Sequence, residues 1–290
     1  MLKKNVITIY RAFKWRWQLW KRSVIEYLQR FRKWNIDSNR KQPYVVYMTG
    51  MPRTGSSFMK NYLGDYPGLK IVPFEPRGFH ISWQESIGLN QEIYVDKSTH
   101  YIRHLNKIAA TCGDKVSFCC IVRDPRDQLA SLFEFERHPE LERNENFWKK
   151  WLKQYTDFIN FASNHPSNNF FMIRYEDLVK MPISAKVQFL KWLNISLNKE
   201  VTENYKIAYV NDIQDDKVKS YTTASVQTIG RHQSIEEVTK QKIIAAYNNY
   251  PEVKQLMENF GYLPTLKPFP PQSFYNITFF DPNTVKAKSY

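Results

Sequence analysis

Long hydrophobic runs are missing from this sequence. No stretch approaches the ~18 continuous apolar residues of a membrane-spanning helix, and 24% of the chain is charged, which excludes a multi-span membrane protein. There is no basic start followed by an apolar core and a small-residue cleavage site, so the expected compartment is the cytoplasm. Cysteine is scarce, at three in 290 residues. The number is odd and Cys119 and Cys120 are adjacent in an apolar run, which argues against a disulfide framework; with Cys112 they are expected as buried reduced thiols. No group of Cys, His and carboxylates has metal-ligand spacing, so no metal is expected. Internal repeats and low-complexity tracts are absent too, which excludes solenoid architectures.

What is present is a core-forming composition, 42% hydrophobic and 16% aromatic, on a length that suits one α/β domain with helical insertions. The net charge of +14 is unevenly distributed. Residues 1–43 hold 12 of the 42 Lys and Arg but only two of the 28 Asp and Glu, which leaves 30 basic against 26 acidic groups in the rest. The main body is only mildly basic, which argues against a nucleic-acid partner for it. In the first segment Tyr10, Phe13, Trp17, Trp20, Val24, Tyr27, Phe31 and Trp34 recur at spacings of three and four, one stripe of a basic amphipathic helix. Three uses fit such a helix: contact with an anionic membrane through residues 1–40, a coiled coil, or docking on the domain. Residues 1–43 are therefore read as helix and linker, 44–263 as the main domain, and 264–290, rich in proline and aromatics, as a tail packed on it.

Three short apolar runs read as strands: Tyr44 to Met48, Val116 to Val122 and Phe170 to Ile173. Each ends in glycine-bearing or charged residues and is followed by a helical pattern. That fits a three-layer, P-loop-like α/β fold with a central parallel sheet flanked by helices and ligand sites at the strands' carboxyl ends. Trp148, Trp151, Leu152, Tyr155, Phe158 and Phe161 keep helical spacing and read as a core face. A long functional loop is expected from Asp212 to His232, ahead of a helix from Ser234 to Tyr247.

Gly50 and Gly55 have the spacing of a Walker loop, in which backbone N–H groups and a helix N-terminus cradle a phosphate. The lysine is missing: Ser56 stands in its place, and a cation, Arg53, lies upstream inside the loop. The absent contact to β- and γ-phosphates disfavours an ATP or GTP hydrolase.

Pro52-Arg53-Thr54-Gly55-Ser56-Ser57-Phe58 resembles the 5′-phosphosulfate loop of sulfotransferases that use 3′-phosphoadenosine 5′-phosphosulfate (PAPS), nearer the carbohydrate and tyrosylprotein branches than the cytosolic phenol branch. Val122-Arg123-Asp124-Pro125-Arg126-Asp127 followed by Ser131 resembles the family's 3′-phosphate motif, an always-charged fork and a hydroxyl. Arg174-Tyr175-Glu176-Asp177-Leu178 matches a third stretch, with the tyrosine near the nucleotide. In the late loop Gly230-Arg231-His232 resembles the last nucleotide clamp, with Ser220 or Ser225 adding a hydroxyl. The resemblance, spanning 44 to about 235, implies PAPS as donor, adenosine 3′,5′-bisphosphate as product, and a small-molecule or carbohydrate hydroxyl as acceptor, with lipid and tyrosine also open.

The implied chemistry needs a base for the acceptor hydroxyl and cations for the sulfuryl and bridging oxygens. Glu75, between two prolines and after a phenylalanine, resembles the base of the arginine-bearing branches; His100 ranks second, with His80 and Glu85 as rivals. Lys97 resembles the lysine on the transferring sulfuryl group, and Arg53 the cation at the leaving 5′-phosphate. Two other functions stay open on the residues alone: a P-loop kinase using ATP, and a non-enzymatic protein that binds nucleic acid or anionic lipid through its N-terminal helix.

Overall fold

The computed structural model describes residues 45–64, 66–72, 93–99, 101–136, 141–197, 229–262 and 277–281. The helix and linker expected over 1–43 lie outside the described residues. Strand β1 (Val45–Thr49) is followed by helix α1 (Ser56–Leu63), β2 (Leu69–Ile71), β3 (Ile93–Lys97), α2 (Leu105–Cys112) and β4 (Val116–Val122). Then come α3 (Pro125–Glu136), α4 (Leu141–Asn164), β5 (Asn169–Arg174), α5 (Tyr175–Lys180) and α6 (Pro182–Trp192). Helices α7 (Arg231–Ser234), α8 (Glu237–Asn248), α9 (Pro251–Asn259) and strand β6 (Ile277–Phe279) follow, and two single 3-10 turns, Tyr101–Arg103 and Gly113–Lys115, flank α2.

The six strands form one sheet in the order β2-β3-β1-β4-β5-β6, and every neighbouring pair is parallel. The apolar runs become fully buried strands because helices cover both faces, as parallel sheets require. On one face Tyr47, Phe118, Cys120, Phe170 and Met172 pack against α2, α3, α4, α8 and α9; on the other Val46, Met48, Cys119, Ile121 and Phe171 pack against α1, α5 and α6. Period-two alternation sends Cys119 and Cys120 to opposite faces, so these neighbours cannot pair, and all three cysteines are buried and free. Burial pushes the Cys112 thiol up to about 12.

The aromatic stripe of α4 is core, as its spacing implies: Trp148, Trp151, Tyr155 and Phe158 are fully buried. Phe118 stacks on Phe170 at 5.5 Å and meets Phe161 edge-on at 5.1 Å, geometries that add to area burial. Residues 277–279, from the segment read as a tail, supply the sixth strand beside β5.

Strand order fixes where a ligand can sit. β1 lies between β3 and β4, the point at which the chain, having run out to β2, crosses to the other half of the sheet. The loops after β1, β3 and β4 therefore open on one crevice at the carboxyl edge. Helix α1 is tied down from below: the buried Lys186 ammonium on α6 donates to the Tyr62 and Leu63 carbonyls at 3.1 and 2.7 Å and lies 5.5 Å from the rings of Tyr62 and Tyr66. It satisfies carbonyls that a helix end leaves open. Burial also pushes its pKa down to about 7. Among the described residues no helix is long and apolar enough to cross a membrane.

Candidate active site

The loop between β1 and α1 is shaped by backbone conformations that its two glycines permit. Gly50 has φ 150°, and a Cβ there would lie 2.6 Å from the Ile121 carbonyl oxygen and 2.7 Å from Thr54 Oγ1. Gly55, the N-cap of α1, has φ 85°, and a Cβ on it would run into the ring of Tyr175. Between them Arg53 holds a left-handed φ of 70°, a strained conformation for a side-chain-bearing residue that costs about 1 kcal/mol or more. Buried Thr54 closes the loop from inside, its Oγ1 donating to the Met51 carbonyl at 2.8 Å. Helix α1 starts without a side-chain cap and without an acid in its first turn. Its first N–H groups and dipole thus face an anion-compatible surface.

Three cations gather around this loop. Buried Arg123, at the end of β4, donates from Nη1 to the Arg53 carbonyl at 3.0 Å and lies 4.4 Å from the centre of the Tyr175 ring. Arg53 reaches across to α3, where Nε donates to Ser131 Oγ at 3.1 Å. Arg231 enters from α7. Burial, then the positive charges of Arg123 and Arg53, push the Arg231 guanidinium below its ordinary value; burial and Arg123 do the same to Arg53. Mutual repulsion of guanidiniums beside a hydroxyl is relieved by a dianion between them.

A fourth cation comes from β3. Lys97 is buried at the strand's end and donates from Nζ to Ser57 Oγ at 3.0 Å. Ser57 occupies the Ser/Thr position of the Walker pattern, so an ammonium absent from position 56 reaches the loop from the neighbouring strand. The turn after Lys97 is pinned to β1 by Ser98 N–H on the Met48 carbonyl at 3.0 Å and Ile102 N–H on Thr49 Oγ1 at 3.1 Å. Tyr101 OH donates to Asp96 at 2.5 Å.

The model of the Sulfotransferase family matches residues 77–199, a span holding Lys97, Arg123, Ser131 and Tyr175. Over that span the chain is similar to sulfotransferases. Among solved structures, mouse sulfotransferase SULT7A1 complexed with PAP has a TM-score of 0.50 at 12% identity, covering 77% of this chain and 89% of that one. The sulfotransferase domain of the Synechococcus PCC 7002 olefin synthase is similar at 16% identity over 75% of this chain and 98% of that one, TM-score 0.48. STF9 from Mycobacterium avium is similar at 11% over 72% and 77%, TM-score 0.47. The mouse enzyme's likeness shows a shared fold. No curated protein matches.

Among the described residues, Arg53, Thr54, Gly55, Ser56 and Ser57 form the loop, and Arg123, Ser131, Tyr175, Lys97 and Arg231 converge on it. Phe58 does not: its ring is buried in the core and stacks on Tyr62 at 5.9 Å, so only its backbone belongs to the first turn. Glu75, His80, Glu85, His100, Ser220 and Ser225 lie outside the described residues. His232, read as the end of a long loop, sits in helix α7.

Sequence reasoning passed over other supports of the site. Buried Gln128 donates from Nε2 to the Pro52 carbonyl at 2.6 Å; it shares the α3 face of Ser131 at helical spacing, the signal that could have found it. Glu176 accepts the Asp124 N–H at 3.0 Å and the Tyr262 hydroxyl at 2.7 Å, anchoring the residue after Arg123. Burial pushes its carboxyl up to about 7. Asp124, Asp127 and His232 lie close enough to suggest a metal. Their ligand atoms are engaged, though: Asp124 with Arg126 at 2.6 Å, and Asp127 with the Gly230 N–H and His232.

Proposed function

We propose that the protein transfers a sulfuryl group from PAPS to the hydroxyl of a small-molecule or carbohydrate acceptor. The observation that carries this is the donor set: three guanidiniums and the Ser131 hydroxyl on one side of the loop, and the Lys97 ammonium on Ser57 at the other. The fit is to a nucleotide with two separated anionic groups. The 5′-phosphosulfate takes the backbone of residues 54–58 and the cations Arg53 and Lys97; the 3′-phosphate takes Arg123, Ser131 and Arg231, with Ser225 as a further hydroxyl and Tyr175 beside the nucleotide. The PAP in the mouse structure supports the same donor here.

In the reaction the acceptor oxygen bonds to sulfur as the bond from sulfur to the bridging oxygen breaks, and that oxygen leaves on the 5′-phosphate. Lys97 holds the sulfuryl oxygens, and Arg53 balances charge on the departing phosphate. The acceptor proton goes to Glu75, with His100 as rival. The kinase reading loses ground to the Lys97–Ser57 bond, because the hydroxyl that would hold magnesium in a P-loop kinase accepts from an ammonium. A cytoplasmic location is part of the proposal, and contact of residues 1–40 with anionic membrane an adjunct to it.

Thermal shift at matched concentrations tests the reading. Adenosine 3′,5′-bisphosphate is expected to raise the melting temperature well above the effect of ATP with magnesium; stronger stabilisation by ATP overturns it. Labelled PAPS incubated with fractionated acceptors then identifies the hydroxyl.

A further inference from the structure

Arg231 reaches the crevice on a short turn closed locally by the Gln233 N–H on the Gly230 carbonyl at 2.8 Å and by Ser234 Oγ on the Arg231 carbonyl at 3.0 Å. Gly230 is left-handed at φ 75°, and α7 behind it is a four-residue helix without a side-chain cap. The group that ties this turn to the rest of the fold is a carboxylate from a distant element. Asp127, four residues after Arg123 and four before Ser131, is buried on α3. Its Oδ2 accepts the Gly230 N–H at 2.7 Å. Its Oδ1 accepts the His232 N–H at 3.0 Å and bonds His232 Nδ1 at 2.5 Å. One carboxylate thus grips the residues on both sides of Arg231, across more than 100 positions of sequence.

We infer that Asp127 is the positioning residue that fixes Arg231 in the anion site and so sets the preference for a nucleotide carrying a second phosphate. This rests on the two-phosphate reading of the site. A carboxylate near an anion would ordinarily repel it, and here two backbone N–H groups and the His232 ring take up that charge. Burial alone would raise the Asp127 pKa, yet the bonds from His232 and Gly230 hold it below the usual value, so the grip is made by the ionised form. The side chain also sits one turn before Ser131, on the same face of α3. The helix that supplies the phosphate hydroxyl therefore sets the distance to the third guanidinium.

Calorimetric affinities for adenosine 3′,5′-bisphosphate and for adenosine 5′-monophosphate, measured side by side, test the inference. Arg231→Ala is expected to lose about 10-fold or more for the bisphosphate and little for the monophosphate, the scale of one charge-assisted bond. Asp127→Asn should reproduce that selective loss, and the double variant should bind no worse than Arg231→Ala. Equal losses for both nucleotides, additivity in the double variant, or an unchanged bisphosphate preference each overturn it. If Asp127→Asn does not fold, His232→Ala decides, since it keeps both backbone bonds: a threefold or greater selective loss supports the inference, and none refutes it. A wild-type protein that binds both nucleotides equally would instead fail the two-phosphate reading itself, and the inference with it.

Discussion

Gly55→Ala is the substitution whose cost can be worked most directly from the structure. Two penalties act at once. The residue sits at φ 85°, where a Cβ costs roughly 1–2 kcal/mol. That Cβ would also lie inside the contact distance of the Tyr175 ring, 2.7 Å from Cε2, and the ring cannot retreat because it is buried and carries Arg123 on its face. Overpacking of this kind costs about 1–3 kcal/mol, so the whole effect is about 2–5 kcal/mol, a large part of a typical domain's stability. Denaturant unfolding of Gly55→Ala in the wild-type and Tyr175→Ala backgrounds separates the two parts. Without the ring only the backbone penalty remains, so the cost of Gly55→Ala should fall by about 1–3 kcal/mol in the second background. A cost below about 1 kcal/mol in the wild type, or the same cost in both backgrounds, refutes the reasoning.

Three further outcomes are expected. Glu176, with a folded pKa of about 7 against an ordinary 4.5, binds its proton more readily folded than unfolded. Its contribution is thus full below pH 4.5 and lost as pH rises to about 7, an effect of up to about 3 kcal/mol; Glu176→Gln should flatten the fall in melting temperature across that window, and an unchanged slope refutes the assignment. Lys97→Met should lower turnover by about 10²-fold or more while adenosine 3′,5′-bisphosphate, which has no sulfuryl group, binds within about threefold of wild type; equal loss of both would make Lys97 a nucleotide binder. Glu75→Gln should cut transfer at saturating PAPS by about 10²-fold with affinity intact, whereas near-normal turnover together with an inactive His100→Ala passes the base to His100.

Local pattern was enough to read the elements that carry their own signal. Val116–Val122 and Asn169–Arg174 are apolar runs closed by charged residues, and they are strands β4 and β5 within a residue or so of the reading. The α4 stripe declared itself through helical spacing, the two glycines of the loop through their separation, and Arg123 with Ser131 through a fork and a hydroxyl two helical turns apart. Only the folded chain decides what depends on contacts between segments far apart in sequence. The three-residue β6 is too short for any period to show, and its place comes from pairing with β5. Strand order brings Lys97 onto Ser57 and supplies the ammonium that position 56 lacks. Burial claims Phe58 for the core although its neighbours belong to the loop. Asp127 reads as a polar helix residue until Gly230 and His232 arrive on its carboxylate. Periodicity records which face of an element is apolar; it does not record which distant element will cover that face or which carboxylate will hold a turn, because those partners are chosen by the packing of the whole sheet.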